Sequence, residues 1–161
     1  AVKLHLHSER TKKIIGTFSG DSRVESRELE ARFRGTIEEF KISREKNFID
    51  RLVGESARPS GLGVLGLEKT LEALQNAQVR ILAVRDQGKQ AGWICPNDYY
   101  LSAEEGSCPK CNSELKITED ILGHMIWEAI DQGAEIRHIR GNHAEFVGLE
   151  VGALLRFRLS Q

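Results

Sequence analysis

Residues 61–84 read GLGVLGLEKTLEALQNAQVRILAV, and this stretch decides the fold class. Its last part, Val79 to Val84, is a nearly continuous apolar run of strand length with Arg80 inside it. A strand with so little polar alternation is buried on both faces of its sheet. Ahead of it, Val64, Leu67, Leu71 and Leu74 recur at three- and four-residue steps, the spacing of one helix face. A helix feeding a buried strand is the repeating element of an α/β sheet covered on both sides. Just upstream, Arg58-Pro59-Ser60-Gly61-Leu62-Gly63 is strong punctuation, because proline lacks the N–H a helix interior needs and glycine weakens it. A domain boundary is expected there.

Downstream, Thr118, Glu119 and Asp120 are expected to open a second helix with the face Leu122, Met125, Ile126, Ala129 and Ile130, stopped at Gly133. Glu135 to Arg140 alternates as a strand, Gly141-Asn142 turns the chain, and Val151 to Arg158 offers a last strand. Upstream of the boundary, Ile14-Ile15-Gly16-Thr17-Phe18 carries strand-favouring residues, and Ser19-Gly20-Asp21 carries turn chemistry. Ser22-x-x-Glu25 has the form of a capping box. Leu29, Phe33, Ile37, Phe40, Phe48 and Leu52 then trace a long amphipathic helix, with a break expected near Ser43. Beyond the boundary the expected order is helix, strand, cysteine knuckle, helix, strand, short helix, strand.

Composition excludes several classes. The 161 residues include 23 basic and 24 acidic side chains, so no overall positive field draws nucleic acid to the surface. No apolar run nears the roughly 20 residues of a membrane span, and no signal-peptide pattern opens the chain, so a cytoplasmic location is expected. The first residue is Ala1 with no capping or turn signal behind it, and a segment of a longer protein is expected.

Three cysteines, clustered between positions 95 and 111, do not form the disulfide framework of a secreted domain. Cys95-Pro96-Asn97-Asp98 and Cys108-Pro109-Lys110-Cys111 are two short turns about a dozen residues apart, a spacing at which both can close on one tetrahedral ion. Asp98 stands where a second cysteine would complete the pattern, and a carboxylate oxygen is an acceptable zinc ligand. Cys95, Asp98, Cys108 and Cys111 are therefore the candidate ligands of a structural zinc organising residues 93–115. The alternative is a knuckle that lacks a ligand and packs around Trp93, Tyr99, Tyr100 and Leu101.

Other motifs carry less. His5, His7, His124, His138 and His143 show no spacing that pairs them with a nucleophile, and no Gly-x-Ser-x-Gly elbow is present. Gly61-x-Gly63-x-x-Gly66 has the form of a dinucleotide fingerprint, but no strand is predicted before it. Arg80, Arg85, Arg137, Arg140, Arg156 and Arg158 lie at or near strands and offer either a basic rim for phosphate or ordinary charge-balanced surface.

Four segments, in order, resemble the third domain of the archaeal and eukaryotic peptide-chain release factors, a domain shared with the rescue factor Pelota. They are Gly63 to Val84, the knuckle closing Cys108-Pro109-Lys110-Cys111, Asp131-Gln132-Gly133-Ala134-Glu135-Ile136, and Gly152-Ala153-Leu154-Leu155-Arg156-Phe157. The resemblance covers about residues 61–158. Residues 8–57 are more loosely similar to the end of the family's middle domain, a strand at Lys12 to Phe18 leading into a long helix.

The resemblance implies a three-layer α/β/α sandwich like the kink-turn-binding ribosomal proteins, with a knuckle insertion at 93–115. It divides the chain into the tail of a middle domain, 1–57, and a third domain, 61–161. It further implies a non-catalytic module of translation termination or ribosome rescue that docks a translational GTPase, with contact to ribosome or tRNA through the arginine-bearing edge. The family's catalytic Gly-Gly-Gln tripeptide does not occur in these residues, so ester hydrolysis is not expected of them. Asp98 departs from the archaeal pattern, which has a cysteine there. Two rival functions follow from the residues: a metal-dependent or tRNA-directed hydrolase using Asp98, the cysteines and His143, and a zinc-knuckle adaptor outside translation.

Overall fold

A computed structural model describes residues 14–15, 26–146 and 148–159. Of the expected first strand only residues 14 and 15 are described, and the capping box at Ser22 and the His5-x-His7 pair lie outside the described residues. By packing, the chain divides into two compact units, Ala1–Lys46 and Asn47–Gln161.

Helix α1, Ser26–Ser56, runs through the division without interruption. The break expected near Ser43 does not occur: neither proline nor glycine is near, and a serine in mid-helix costs only a few tenths of a kcal/mol, ~0.5. Within the first unit, Lys41 Nζ lies 2.7 Å from Glu38 Oε1, and the Arg44 guanidinium sits 5.8 Å from the centre of the Phe40 ring.

In the second unit, four strands form a sheet in the order β1 (Gly63–Leu65), β7 (Val151–Leu155), β2 (Val79–Arg85) and β6 (Glu135–Ile139). β2 and β6 are parallel, while β7 lies antiparallel to both β1 and β2. The link from β2 to β6 carries helix α3 (Ile121–Asp131) and a three-stranded sheet ordered β4 (Leu101–Ser102), β3 (Gly92–Ile94), β5 (Lys116–Thr118). Such a link is long because parallel neighbours need a crossover. Helix α2 (Leu67–Gln75) joins β1 to β2, and a short 3₁₀ turn at Ala144–Phe146 precedes β7.

Alternation along β2 and β7 splits the core in two. Leu82, Val84, Val151, Ala153 and Leu155 pack with Leu71 and Leu74 of α2 and with Ile121, Leu122, Met125 and Ala129 of α3. Ile81, Ala83 and Leu154, with Ile139 and Phe146, pack with Phe48, Ile49 and Leu52 from the last turns of α1. The run at Val79–Val84 is apolar for this reason: both of its faces are covered. Thus the helix end before the Pro-Gly punctuation belongs to the same core as the strands after it, and Pro59 and Gly61 mark a tight reversal. Gly63 must be glycine here, because a Cβ would collide with backbone atoms of Leu52 and Ser56.

Three local readings change. Val64 belongs to strand β1 and pairs with Ala153, because the sheet partner outweighs the helical spacing; Gly66, at φ +85°, then lets the chain turn into α2. Thr118 ends β5, and α3 starts at Ile121 with Asp120 as N-cap, its Oδ1 accepting from Gly123 N at 2.9 Å. On α3, Ile130 faces solvent and Ile121 takes its place in the core.

No helix among the described residues is long and apolar enough to cross a membrane.

Candidate metal centre

Two turns of one design meet in the knuckle. In Cys95-Pro96-Asn97-Asp98-Tyr99, the Asn97 N–H donates to Cys95 Sγ at 3.4 Å and the Tyr99 N–H to Cys95 O at 3.1 Å, while Cys95 N donates to Tyr100 O at 2.8 Å. In Cys108-Pro109-Lys110-Cys111-Asn112, Lys110 N donates to Cys108 Sγ at 3.4 Å, Asn112 N to Cys108 O at 2.8 Å, and Cys108 N to Ser113 O at 2.8 Å. The fifth residues, Tyr99 at φ +59° and Asn112 at φ +58°, both take the left-handed conformation that closes the turn. By this equivalence Asp98 occupies, in the first turn, the place Cys111 occupies in the second.

The two turns bring their side chains to one point. One ligand atom from each of Cys95, Asp98, Cys108 and Cys111 lies within 4.8 Å of all the others. Cys95 Sγ and Cys111 Sγ are 3.4 Å apart, and Cys108 Sγ is 3.3 and 3.2 Å from the two Asp98 oxygens. Thiolates on one tetrahedral zinc at bond lengths of about 2.3 Å stand ~3.8 Å apart, so the spread of these four donors is of the size that one ion spans. Cys95 and Cys108 are buried and Cys111 is exposed. Leu115, Trp93 and Tyr100 pack around the buried pair, a small satellite of apolar side chains. Trp93 and Tyr100 thus pack as the ligand-poor alternative expects, while Tyr99 stays at the surface and Leu101 joins the main core.

The electrostatics favour a cation at Asp98 and Cys111 and oppose the bare thiolate at Cys95. Burial pushes the Cys95 thiol up to about 11. Burial also works to raise the Asp98 carboxyl, yet the Cys108 thiol and the Tyr100 N–H, 3.0 Å from Oδ1, outweigh it and hold Asp98 at about 2. Hydrogen bonding from the Ser113 hydroxyl lowers the Cys111 thiol. A fixed carboxylate at the centre and hydrogen-bond donors aimed at the sulfurs resemble the outer shell that steadies metal-bound thiolates. Asn97 and Ser113 were not evident from the sequence. Asn97 Nδ2 donates to Ser113 Oγ at 2.7 Å and lies 3.9 Å from Cys111 Sγ, tying the two turns together.

Other sequence candidates disperse. His143 is outside the cluster, so the hydrolase site of Asp98, the cysteines and His143 is not assembled. His138 Nδ1 lies 3.9 Å from Asp86 Oδ1. The arginines are mostly engaged by the chain itself. Arg85 donates to Phe146 O at 2.6 Å, Arg156 to Gln132 O at 2.8 Å and Arg158 to Pro59 O at 2.7 Å. Arg137 pairs with Glu135 at 2.8 Å and stacks 4.6 Å from the Phe48 ring centre, and Arg140 lies 3.5 Å from Asp86.

Comparison with known proteins adds the following. No family model matches the chain. Peptide chain release factor subunit 1 of Picrophilus torridus is 32% identical over 142 residues, covering 81% of this chain and 35% of that protein. Its counterpart in Methanosphaera stadtmanae is 26% identical over 161 residues, covering 91% of this chain and 37% of that protein. The chain thus spans just over a third of the length of these relatives. Among solved structures, the C-terminal domain of the peptide chain release factor from Methanosarcina mazei aligns at TM-score 0.55 and 19% identity, covering 88% of this chain and 98% of that one. Pelota from Archaeoglobus fulgidus aligns at TM-score 0.54 and 19% identity, covering 89% of this chain and 40% of that one. At such identity the likeness to the two structures is one of fold.

Proposed function

We infer that this chain, a relative of archaeal peptide chain release factor subunit 1 with the mixed α/β fold of that protein's C-terminal domain, is a non-catalytic binding module of a translation termination or ribosome-rescue factor. The observation that carries this reading is sequence identity of 26–32% sustained over more than four-fifths of the chain. Its role is to dock a translational GTPase. Ribosome or tRNA contact is secondary, because most of the arginines at the strand edges already bind the chain's own carbonyls and carboxylates. In this reading residues 61–161 form the third domain, a three-layer sandwich like the kink-turn-binding ribosomal proteins, residues 1–57 are the tail of a middle domain whose last helical turns pack on the third domain's sheet, and the protein works in the cytoplasm.

The knuckle holds one structural zinc through Cys95, Asp98, Cys108 and Cys111. The donor set and spacing support this, as does the equivalence of the two turns. Bound there, zinc would cross-link two turns whose apolar support is confined to a few side chains. Four protein ligands leave no open position for a reacting water, so the metal's role is to hold shape.

The test is direct binding. The chain is immobilised and exposed to the host's purified elongation-factor-type GTPase loaded with a non-hydrolysable GTP analogue, and separately to ribosomes, at low salt. Saturable binding of the GTPase, without acceleration of peptidyl-tRNA hydrolysis, is expected. Failure to bind either one, or hydrolysis by the chain alone, would overturn the reading.

A further inference from the structure

Helix α3 is amphipathic in an unusual sense. Ile121, Leu122, Met125 and Ala129 face the core, and the stripe His124, Trp127, Glu128 and Asp131, at steps of three and four residues, faces outward. Trp127 is 75% exposed on that stripe. Across from it stands Tyr99, 72% exposed and carried by the left-handed fifth position of the first knuckle turn, a backbone state rare for an aromatic residue. The two rings line a groove of about 340 Å³ floored by Ile94 and Leu101 and bordered by Glu128 and Asp131. Among the described residues, His124 is the one basic side chain that lines it, with no lysine or arginine.

We propose that this groove binds an arginine side chain presented by a partner protein. Two exposed rings line the groove and can stack on a planar cation, and two carboxylates supply the opposite charge, Glu128 Oε1 already accepting from Gln132 Nε2 at 2.7 Å. The same charges argue against other occupants. A nucleotide could stack on Trp127, but its phosphate would meet Glu128 and Asp131, and an anionic membrane surface would meet the same repulsion. The groove is formed jointly by α3 and the knuckle, so the shape of the first turn sets the position of Tyr99 and hence the width of the site. This gives the knuckle a second role, independent of the GTPase docking proposed above.

The chain has two tryptophans, Trp93 and Trp127, which makes the test internally controlled. The whole chain, labelled with nitrogen-15, is titrated with N-acetyl-arginine methylamide while both indole N–H resonances are followed. A curved titration is expected for the Trp127 indole, with the Trp93 indole, inside the knuckle, unmoved. D131N and E128Q should each weaken binding about two- to five-fold, the range of an exposed cation–π or ion contact, and Y99A, which keeps the Trp127 reporter, should weaken it at least as much with spectral dispersion retained. The neutral citrulline analogue should leave the Trp127 signal in place. Equal shifts with citrulline would mean plain apolar stacking and would overturn the proposal. So would an adenosine monophosphate titration tighter than that of arginine, or a Trp127 shift that appears on concentrating the protein alone, which would mark a second copy as the occupant.

Discussion

Replacing Leu52 by alanine tests how the second unit is built. Leu52 lies on the last turns of α1, has no exposed surface, and packs with Phe48, Ile49, Ile81 and Leu154. Truncation removes about three buried methylene equivalents at ~0.8 kcal/mol each, and the unfilled space adds a cavity cost, so a loss of about 3 kcal/mol is expected, within the usual ~2–5. Against a typical domain stability of roughly 5–15 kcal/mol, this lowers the melting midpoint by on the order of 10 °C. Ile42, on the same helix but 64% exposed, is the matched control, and I42A should stay within about 0.5 kcal/mol of the parent. Both variants would be unfolded in urea at equilibrium, followed by far-ultraviolet circular dichroism. If L52A shifts the midpoint no more than I42A does, the end of α1 is not part of the core and the compact body begins after Pro59.

Three further outcomes are expected. D98A should lose zinc during gel filtration and lower the midpoint of unfolding, whereas D98C, which makes the two turns chemically identical, should retain one zinc per chain; metal content by mass spectrometry decides, and equal zinc in D98A would show that Asp98 is no ligand. After chelation, mild hydrogen peroxide should join Cys95 to Cys111, whose sulfurs are 3.4 Å apart, in preference to Cys108 and Cys111, which are neighbours in the chain. In that step two thiols give up two electrons and two protons, the peroxide becomes two waters, and peptide mapping identifies the bridge. Acid should weaken the helix end at Glu55, whose carboxyl is held below its usual value chiefly by the Leu62 N–H, 2.9 Å from Oε2, with Arg58 adding to this. A group depressed in the folded state stabilises above its unfolded value of about 4.3 and loses that contribution as pH falls through the folded value, so urea midpoints of the parent should drop more steeply than those of E55Q below about pH 5.

Much of the architecture is legible in the sequence because burial on both faces leaves a local mark. Val79–Val84 is apolar but for the exposed Arg80 since β2 is covered on both sides, Glu135–Ile139 alternates as an edge strand, and Leu122, Met125 and Ala129 keep helical spacing against the core. The two Cys-Pro turns are equally local, and their residue types announce them. What covers a buried face is another matter, since that depends on segments far apart in the chain. Only the tertiary structure turns Val64 into a strand by pairing it with Ala153, and it alone places the end of α1 against Ile81 and Leu154 across the Pro-Gly punctuation. The sequence already sets Asp98 at the position of the second cysteine; the structure adds the matching backbone hydrogen bonds that shape the two turns alike. Trp127 shows the limit most plainly. Its spacing fits the outer stripe of α3, but its sharing a groove with Tyr99 depends on where the knuckle folds back, and periodicity within one element carries no information about that.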